Sequence, residues 1–223
     1  MDSIVLSVKG LSKSFGAQTV LQDVGLYLTS GKIYGLAGRN GSGKTVLLKL
    51  LCGFMRPDKG EIAINGRPVV CGRKLPVEIG ILFDAAGFIP NKTAYANLKI
   101  LAGIRNRISS ADILAALEAV GLDPASRKRV GAFSLGMRQR LAFAQALMED
   151  PPILFFDEPM NSLDASIVQD MRALLRREKE KGKLILLATH MREDLEALCD
   201  AVFSINGGQI SALQEGGDAP CKA

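Results

Sequence analysis

GRNGSGKT, running from Gly38 to Thr45, is the stretch on which the fold turns. It satisfies G-x-x-x-x-G-K-[ST], a pattern in which glycines let backbone N–H groups close around a phosphate. In such a loop Lys44 reaches the β and γ phosphates and the Thr45 hydroxyl binds Mg²⁺. The flanks matter as much as the motif. KIYGLA (Lys32 to Ala37) reads as a strand entering the loop, and Val46, Leu47, Leu48, Leu50 and Leu51 read as a helix leaving it. A glycine-rich turn that binds nothing is the alternative, and the strand, loop and helix together argue for phosphate. The candidate nucleotide-binding residues are therefore Gly38, Arg39, Asn40, Gly41, Ser42, Gly43, Lys44, Thr45 and Val46, with Lys44 also a candidate for catalysis.

Around the loop the chain is strand-rich. SIVLSVKGL (Ser3 to Leu11) alternates apolar and polar residues, and EIAINGRPV (Glu61 to Val69) carries Asn65-Gly66, a pair suited to a tight hairpin turn. From Thr93 to Asp150 the period changes. Ile113, Leu114, Leu117 and Val120 recur at helical spacing, with Ser109 and Asp112 as a candidate capping box and Gly121 as a stop. This stretch reads as a helical insert. After Pro151 and Pro152 comes ILFF (Ile153 to Phe156), a buried-strand run. A helix with Ile167, Met171, Leu174 and Leu175 on one face follows, closed by Gly182, and then the strand KLILLAT. Alternating strands and helices of this kind argue an α/β fold with a mainly parallel sheet.

The run ILFF ends in Asp157 and Glu158, and two adjacent carboxylates at the end of a buried strand are costly unless something uses them. Asp157 is placed to hold Mg²⁺ through its water shell, and Glu158 to orient or deprotonate a water attacking the γ phosphate. A helix-capping Asp beside an exposed Glu is the plainer alternative. His190, the only histidine of the chain, ends KLILLATH at the carboxyl edge of a strand, where α/β folds bind ligands. It is a candidate contact to the γ phosphate or the attacking water. A second anion cradle lies in SLGMRQR (Ser134 to Arg140), where a serine precedes a small helical start.

With 223 residues, 48% of them hydrophobic, the chain has enough material for one core, read as one domain with a subdomain. Its apolar runs, ILFF and LILLA among them, fall far short of the roughly 20 residues a membrane helix needs. The opening MDSIVLSVKG lacks the basic region and long apolar segment of a secretory signal, so the expected location is the cytosol. Cys52, Cys71, Cys199 and Cys221 show no C-x-x-C spacing and read as small buried hydrophobes. A net charge of +5 permits an acidic partner without choosing among nucleotide phosphate, nucleic acid and anionic lipid. RREKEKGK (Arg176 to Lys183) reads as the solvated face and end of a helix, and QEGGDAPCKA at the end as a loose tail.

Taken in order, these motifs make the sequence resemble the ATP-binding subunit of an ABC transporter, from about Val5 to Leu213. GRNGSGKT matches the P-loop, SLGMRQR the signature segment, ILFFDEP the acidic strand end, NSLD (Asn161 to Asp164) the D-loop and His190 the switch histidine. Phe15, in KSFGA, matches the aromatic position that stacks on adenine. The resemblance implies a P-loop NTPase sheet core (1–83 and 150–213), an N-terminal antiparallel β subdomain, a helical subdomain (84–149) and a tail (214–223). It also implies an ATPase using ATP and Mg²⁺, with two subunits dimerising head to tail, a homodimer being expected. Ser134, Gly136 and the D-loop residue Asp164 then serve nucleotide at the shared sites.

The departures from the family pattern are specific. Phe133 to Met137 stand where L-S-G-G-Q is usual, which keeps the serine and second glycine and loses the glutamine. Val46 replaces a hydroxyl residue and offers only its N–H. Asp84 stands where most members carry a glutamine that touches Mg²⁺ and the attacking water, so the metal candidates are Thr45, Asp84 and Asp157. A loop-start Asp on the surface is the other possibility for that residue. The stretch from Asp84 to Leu98 resembles exporters of the bacitracin and lantibiotic self-protection type.

An ATPase peripheral on the inner face of the cell membrane is therefore expected, powering a separate permease and export. The permease is expected to touch the region from Asp84 to Lys92, where Phe88 and Ile89 are candidate exposed contacts or packing under the helical insert. A soluble ABC ATPase acting on ribosomes, DNA or Fe–S assembly is the runner-up. Neither a second nucleotide domain nor a long coiled coil is present to favour it, and no nucleic acid partner is expected. A GTPase would want N-K-x-D, and NKTA (Asn91 to Ala94) lacks the acid.

Overall fold

Alternation in the opening residues produces β1 (Val5–Phe15), with Leu6, Val8 and Leu11 buried and Lys9 facing out, in a computed structural model that describes residues 3–83, 87–161 and 163–214. β1 pairs antiparallel with β2 (Gln18–Thr29). Next, β3 (Ile33–Ala37) enters GRNGSGKT and α1 (Lys44–Leu51) leaves it, as the apolar flanks predict. β4 (Lys59–Ile64) and β5 (Arg67–Pro68) form the expected hairpin at Asn65 and Gly66, whose φ values are 51° and 72°. Positive φ at both central residues suits the right-handed twist of the flanking strands. The resulting four-stranded sheet runs β2-β1-β4-β5.

β6 (Ile79–Leu82), β7 (Ile153–Asp157), β8 (Leu184–Thr189), β9 (Ala201–Asn206) and β10 (Gln209–Gln214) join β3 in a second sheet. Its order is β10-β9-β3-β8-β7-β6, and every pair is parallel except β10 on β9. β8 is buried throughout and β7 up to Asp157, as a parallel sheet covered on both faces requires. Ala37 stands beside Thr189, and Asp157 beside Ala188. One carboxyl edge therefore releases the Gly38 loop, the acidic pair and His190 together.

Between β6 and β7 the chain is helical: α2 (Ala94–Arg105), α3 (Ser110–Ala119) and α4 (Leu135–Leu147). Ser109 and Asp112 form the capping box, and Gly121 follows α3 with φ 69°. Leu98, Leu117, Leu141 and Phe143 from these helices pack with Leu154 and Phe156 of β7. Ile153 and Phe155 of the same strand face α1 and the antiparallel sheet instead. β7 thus feeds two cores, and each fully buried Phe or Leu contributes roughly 1.5–3 kcal/mol. No helix among the described residues is long and apolar enough to cross a membrane.

α5 (Ala165–Glu180) buries Met171, Leu174 and Leu175, with Ile167 half-buried beside them, and Gly182 ends it at φ 85°. The charge run at its end is not wholly solvated. Glu178 and Lys183 are 5% and 2% exposed, and Lys183 Nζ lies 2.5 Å from both Glu178 Oε2 and Asp150 Oδ1. The turn at Gly182 carries Lys183 into the base of β8, where an ammonium is tolerated only when paired. α6 (Arg192–Leu198) is tied to α5 by a buried pair, Arg172 Nε and Nη2 donating to Asp194 Oδ1 at 2.9 and 2.6 Å. Burial pushes the Cys52 thiol up, and pushes Cys199 up to about 12 with help from Asp200 and Asp194. Cys71 departs from the buried expectation and is exposed, while Cys221 lies outside the described residues.

Candidate functional site

The loop closes tightly for reasons its glycines explain. Gly43, at φ 106°, is the N-cap of α1 in a backbone region that side-chain-bearing residues rarely adopt. A Cβ on Gly38 would fall 2.5 Å from Ser42 Oγ and 2.6 Å from Ile205 Cγ2, so any larger residue would displace the loop. Lys44, 5% exposed, folds back inside it. Its Nζ donates to the Gly38 and Arg39 carbonyls at 2.7 and 3.2 Å and lies 3.3 Å from Glu158 Oε1. The first N–H groups of α1 have no intrahelical acceptor and add the positive end of the helix dipole.

Across from the loop, the Thr45 hydroxyl donates to Asp157 Oδ2 in a short hydrogen bond. Glu158 takes φ 48°, and its N–H donates to the Ala188 carbonyl of β8 at 2.8 Å. That conformation turns the Glu158 side chain back toward the loop, where Oε2 meets His190 Nδ1 at 2.9 Å. Phe15, Val20, Asn40 to Val46, Asp157, Glu158 and Asn161 enclose a cavity of about 440 Å³. Three buried side-chain polar atoms lack hydrogen bonds among the described residues, and two of them, Ser42 Oγ and Glu158 Oε1, belong to residues of this cavity. Glu158 Oε1 still has the Lys44 ammonium 3.3 Å away as an ion-pair partner, so Ser42 Oγ is the one of the two that calls for a partner. Phe15 is 48% exposed at the rim, with Lys13 Nζ 5.5 Å from its ring centroid.

Most of the candidate residues gather here. Gly38 and Arg39 form the back of the loop through their carbonyls, and His190, itself exposed, reaches the site through Glu158. Three do not reach it. Ser134 caps α4, its Oγ accepting from the Met137 N–H at 3.2 Å, and neither Ser134 nor Gly136 lines the cavity. Asp164 is exposed at the start of α5 without a capping hydrogen bond. Asp84 lies outside the described residues, as do Ala85, Ala86 and the D-loop residue Ser162. Of the two candidate contacts, Ile89 is 40% exposed, but Phe88 is half-buried against the core cluster because it packs beneath the insert.

A second cavity, about 410 Å³, lies along the β6 edge, walled by Phe54, Glu78, Phe83, Ile104, Arg105 and Glu149 among others. Phe54 and Ile104 are 63% and 77% exposed. One polar contact has no role assigned from the sequence, although it lies within SLGMRQR: buried Gln139 of α4 donates from Nε2 to the Pro159 carbonyl at 2.8 Å. Its only trace in the sequence is a glutamine on an otherwise apolar face of that helix.

A strand-loop-helix phosphate cradle facing an acidic strand end, with a helical insert carrying a second cradle, defines an ATP-binding cassette. The ABC transporter family model matches residues 21–161, and the chain belongs to that family. It is 37% identical to the ABC transporter ATP-binding protein YybJ of Bacillus subtilis (strain 168), over 95% of this chain and 97% of that one. It is 35% identical to the bacitracin transport ATP-binding protein BcrA of Enterococcus faecalis (92% and 68% covered). Against the lantibiotic transport ATP-binding protein SrtF of Streptococcus pyogenes it is 34% identical (95% and 91%). Among solved structures, an ATP-binding subunit of an ABC transporter aligns with TM-score 0.83 and 28% identity over 94% of this chain and 90% of that one. A dimeric bacterial ABC transporter cassette, MJ0796, shares the fold with TM-score 0.84 at 22% identity, over 94% and 99% of the two chains. The chain is an ATPase of this family.

Proposed function

We propose that two copies of this chain close head to tail on two ATP molecules and that hydrolysis powers export through a separate membrane permease. One observation carries this reading: the cavity holds Lys44, Thr45, Asp157 and Glu158, while the second cradle at Ser134 lies outside it. A chain that keeps its signature helix start exposed needs a second copy to use it.

Within one site, the Gly38 to Thr45 backbone and the N-terminus of α1 receive the phosphates, and Phe15 stacks on the base. Lys44 has three donors, two already engaged by loop carbonyls and the third facing Glu158. A γ phosphate takes that third donor and frees Glu158 Oε1 for water. His190 holds Oε2, so Glu158 is oriented to accept a proton from the water as it attacks phosphorus in line. Thr45 and Asp157 offer the hydroxyl and carboxylate oxygens that Mg²⁺ favours, and the metal would neutralise charge between the phosphates. Mg²⁺ is commonly held by one or two carboxylates together with substrate phosphates, a set that Asp157 and the nucleotide would supply. Asp84, which follows β6 in the chain, is proposed as a further Mg²⁺ ligand.

The core is assigned to 1–83 and 150–213 and the helical subdomain to 84–149. The permease is proposed to dock along the β6 edge and the stretch from Asp84 to Lys92, supported by the exposed Phe54, Ile89 and Ile104. On this reading the subunit sits at the inner face of the membrane. Relatives named for bacitracin and lantibiotic transport support a peptide antibiotic as cargo. The same names weigh against the reading of an ATPase acting on ribosomes, DNA or Fe–S assembly.

Glu158→Gln tests the proposal. The amide keeps its shape but accepts no proton, so steady-state hydrolysis should fall to background while nucleotide binding persists. Light scattering in Mg-ATP should then show a trapped dimer. A purely monomeric variant under those conditions would overturn the dimer.

A further inference from the structure

We propose that Gln139 is a positioning residue for Glu158, tying the placement of the signature helix to the base of the chain's own site. The inference rests on the roles proposed above for Glu158 and Ser134. Glu158 adopts φ 48° without being glycine and directly precedes Pro159, whose ring further restricts its neighbour. Such a conformation persists only where the surroundings over-determine it. Two hydrogen bonds bracket it. On one side the Glu158 N–H donates to Ala188 of β8 at 2.8 Å, and on the other the Pro159 carbonyl accepts from Gln139 Nε2 at 2.8 Å. The first anchor is the central sheet, which also carries the Gly38 loop. The second is α4, whose N-cap is Ser134.

Gln139 is 8% exposed, and no other hydrogen bond from α4 to the loop after Glu158 occurs among the described residues. Because a proline carbonyl can only accept, the amide must face it with its NH₂. Gln139 lies between one and two turns along the same helix from Ser134. Any shift of α4 when Ser134 engages the partner's nucleotide is therefore transmitted to the peptide next to Glu158. Hydrolysis in one site is thereby made sensitive to closure at the other.

Gln139→Met keeps the apolar stem and removes the donor, and Gln139→Glu replaces the donor with a carboxylate facing a carbonyl. Both should lower kcat by about 10- to 100-fold, the loss typical of a misplaced catalytic group. The Kd for ATP should stay near wild type, while Tm should fall modestly in Gln139→Met and further in Gln139→Glu at neutral pH, where a buried carboxylate faces the Pro159 carbonyl. For Gln139→Glu the ratio of its kcat to wild type should rise as pH falls, because a protonated carboxyl regains a donor. Gln139→Met combined with Glu158→Gln should lose nothing further in single-turnover hydrolysis and should still form the ATP dimer. Unchanged kcat in Gln139→Met, or an additive loss in the double variant, would remove Gln139 from this role. Wild-type hydrolysis in Glu158→Gln alone would instead overturn the assignment of the base.

Discussion

At the Gly38 loop, an anion would meet a buried lysine, a helix N-terminus, a hydroxyl bound to a carboxylate, and a glutamate pinned by a histidine. At Ser134, a similar helix start meets none of these. Ser134 and Leu135 are exposed, the hydroxyl accepts from the Met137 N–H, and neither residue lines the cavity that holds Lys44, Asp157 and Glu158. The contrast teaches that a cradle complete in local geometry is not a site. The loop has convergent strands behind it, because β3, β7 and β8 end on the same edge. The helix start has a single element, and what completes it must come from elsewhere.

Lys44→Ala is the most severe way to break the enclosed cradle. It removes up to three donors and the only cation inside the cavity among its described lining residues. Charge-assisted hydrogen bonds to phosphate contribute about 1.5–3 kcal/mol each, so ATP affinity should fall by at least about 10-fold. Isothermal titration checks it, and an unchanged Kd would refute the loop as the nucleotide site.

Ser134→Arg should leave ATP binding to the monomer within about 2-fold of wild type, because the residue stands apart from the chain's own cavity, while abolishing turnover. Mixing it with Lys44→Ala then sharpens the comparison. Each mixed dimer pairs one intact Lys44 with one intact Ser134 in one composite site. Random pairing of equal amounts should restore about a quarter of wild-type activity if the two sites act independently. Mixtures that demonstrably form mixed dimers yet recover nothing would show that the cradles are not shared.

The difference between the two regions also explains which features are legible in the order of residues alone. Motifs along the chain locate Lys44, Thr45, Asp157, Glu158 and His190, because each sits at the end of a strand or the start of a helix whose periodicity is local. Periodicity likewise places the hairpin at Asn65 and the capping box at Ser109. It fails where a partner lies far along the chain. The burial of Lys183 depends on Glu178 and Asp150 meeting under β8, and that of Gln139 on a carbonyl in the loop after β7. A charge run looks solvent-facing until packing supplies the other half, and a glutamine on an apolar helix face does not name the carbonyl it will meet. Phe88 is ambiguous in the sequence for the same reason, since only the assembled insert covers it and decides for packing over an exposed contact.

The smallest effect separates the structural cap from the functional one. Ser109 and Ser134 are both N-caps accepting an N–H three residues on, from Asp112 at 3.3 Å and Met137 at 3.2 Å. Loss of such a cap costs about 1 kcal/mol, or about 2–4 °C in Tm for a chain of this size. Ser109→Ala and Ser134→Ala should therefore both lower Tm in differential scanning calorimetry, Ser109→Ala the more at neutral pH because its hydroxyl also donates to Asp112, while only Ser134→Ala slows hydrolysis. Their acid limbs should differ as well. The Asp112 carboxyl is held below its ordinary range by the Ser109 hydroxyl first and the Ser109 N–H second. A depressed carboxyl contributes stability that is fully present above its unfolded value and is lost as pH falls through the lower folded value. Ser109→Ala should flatten that acid loss, and Ser134→Ala should not, because Met137 has nothing to titrate. If both variants keep wild-type turnover, the Ser134 hydroxyl serves only its own helix, and its proposed contact to a partner's phosphate fails.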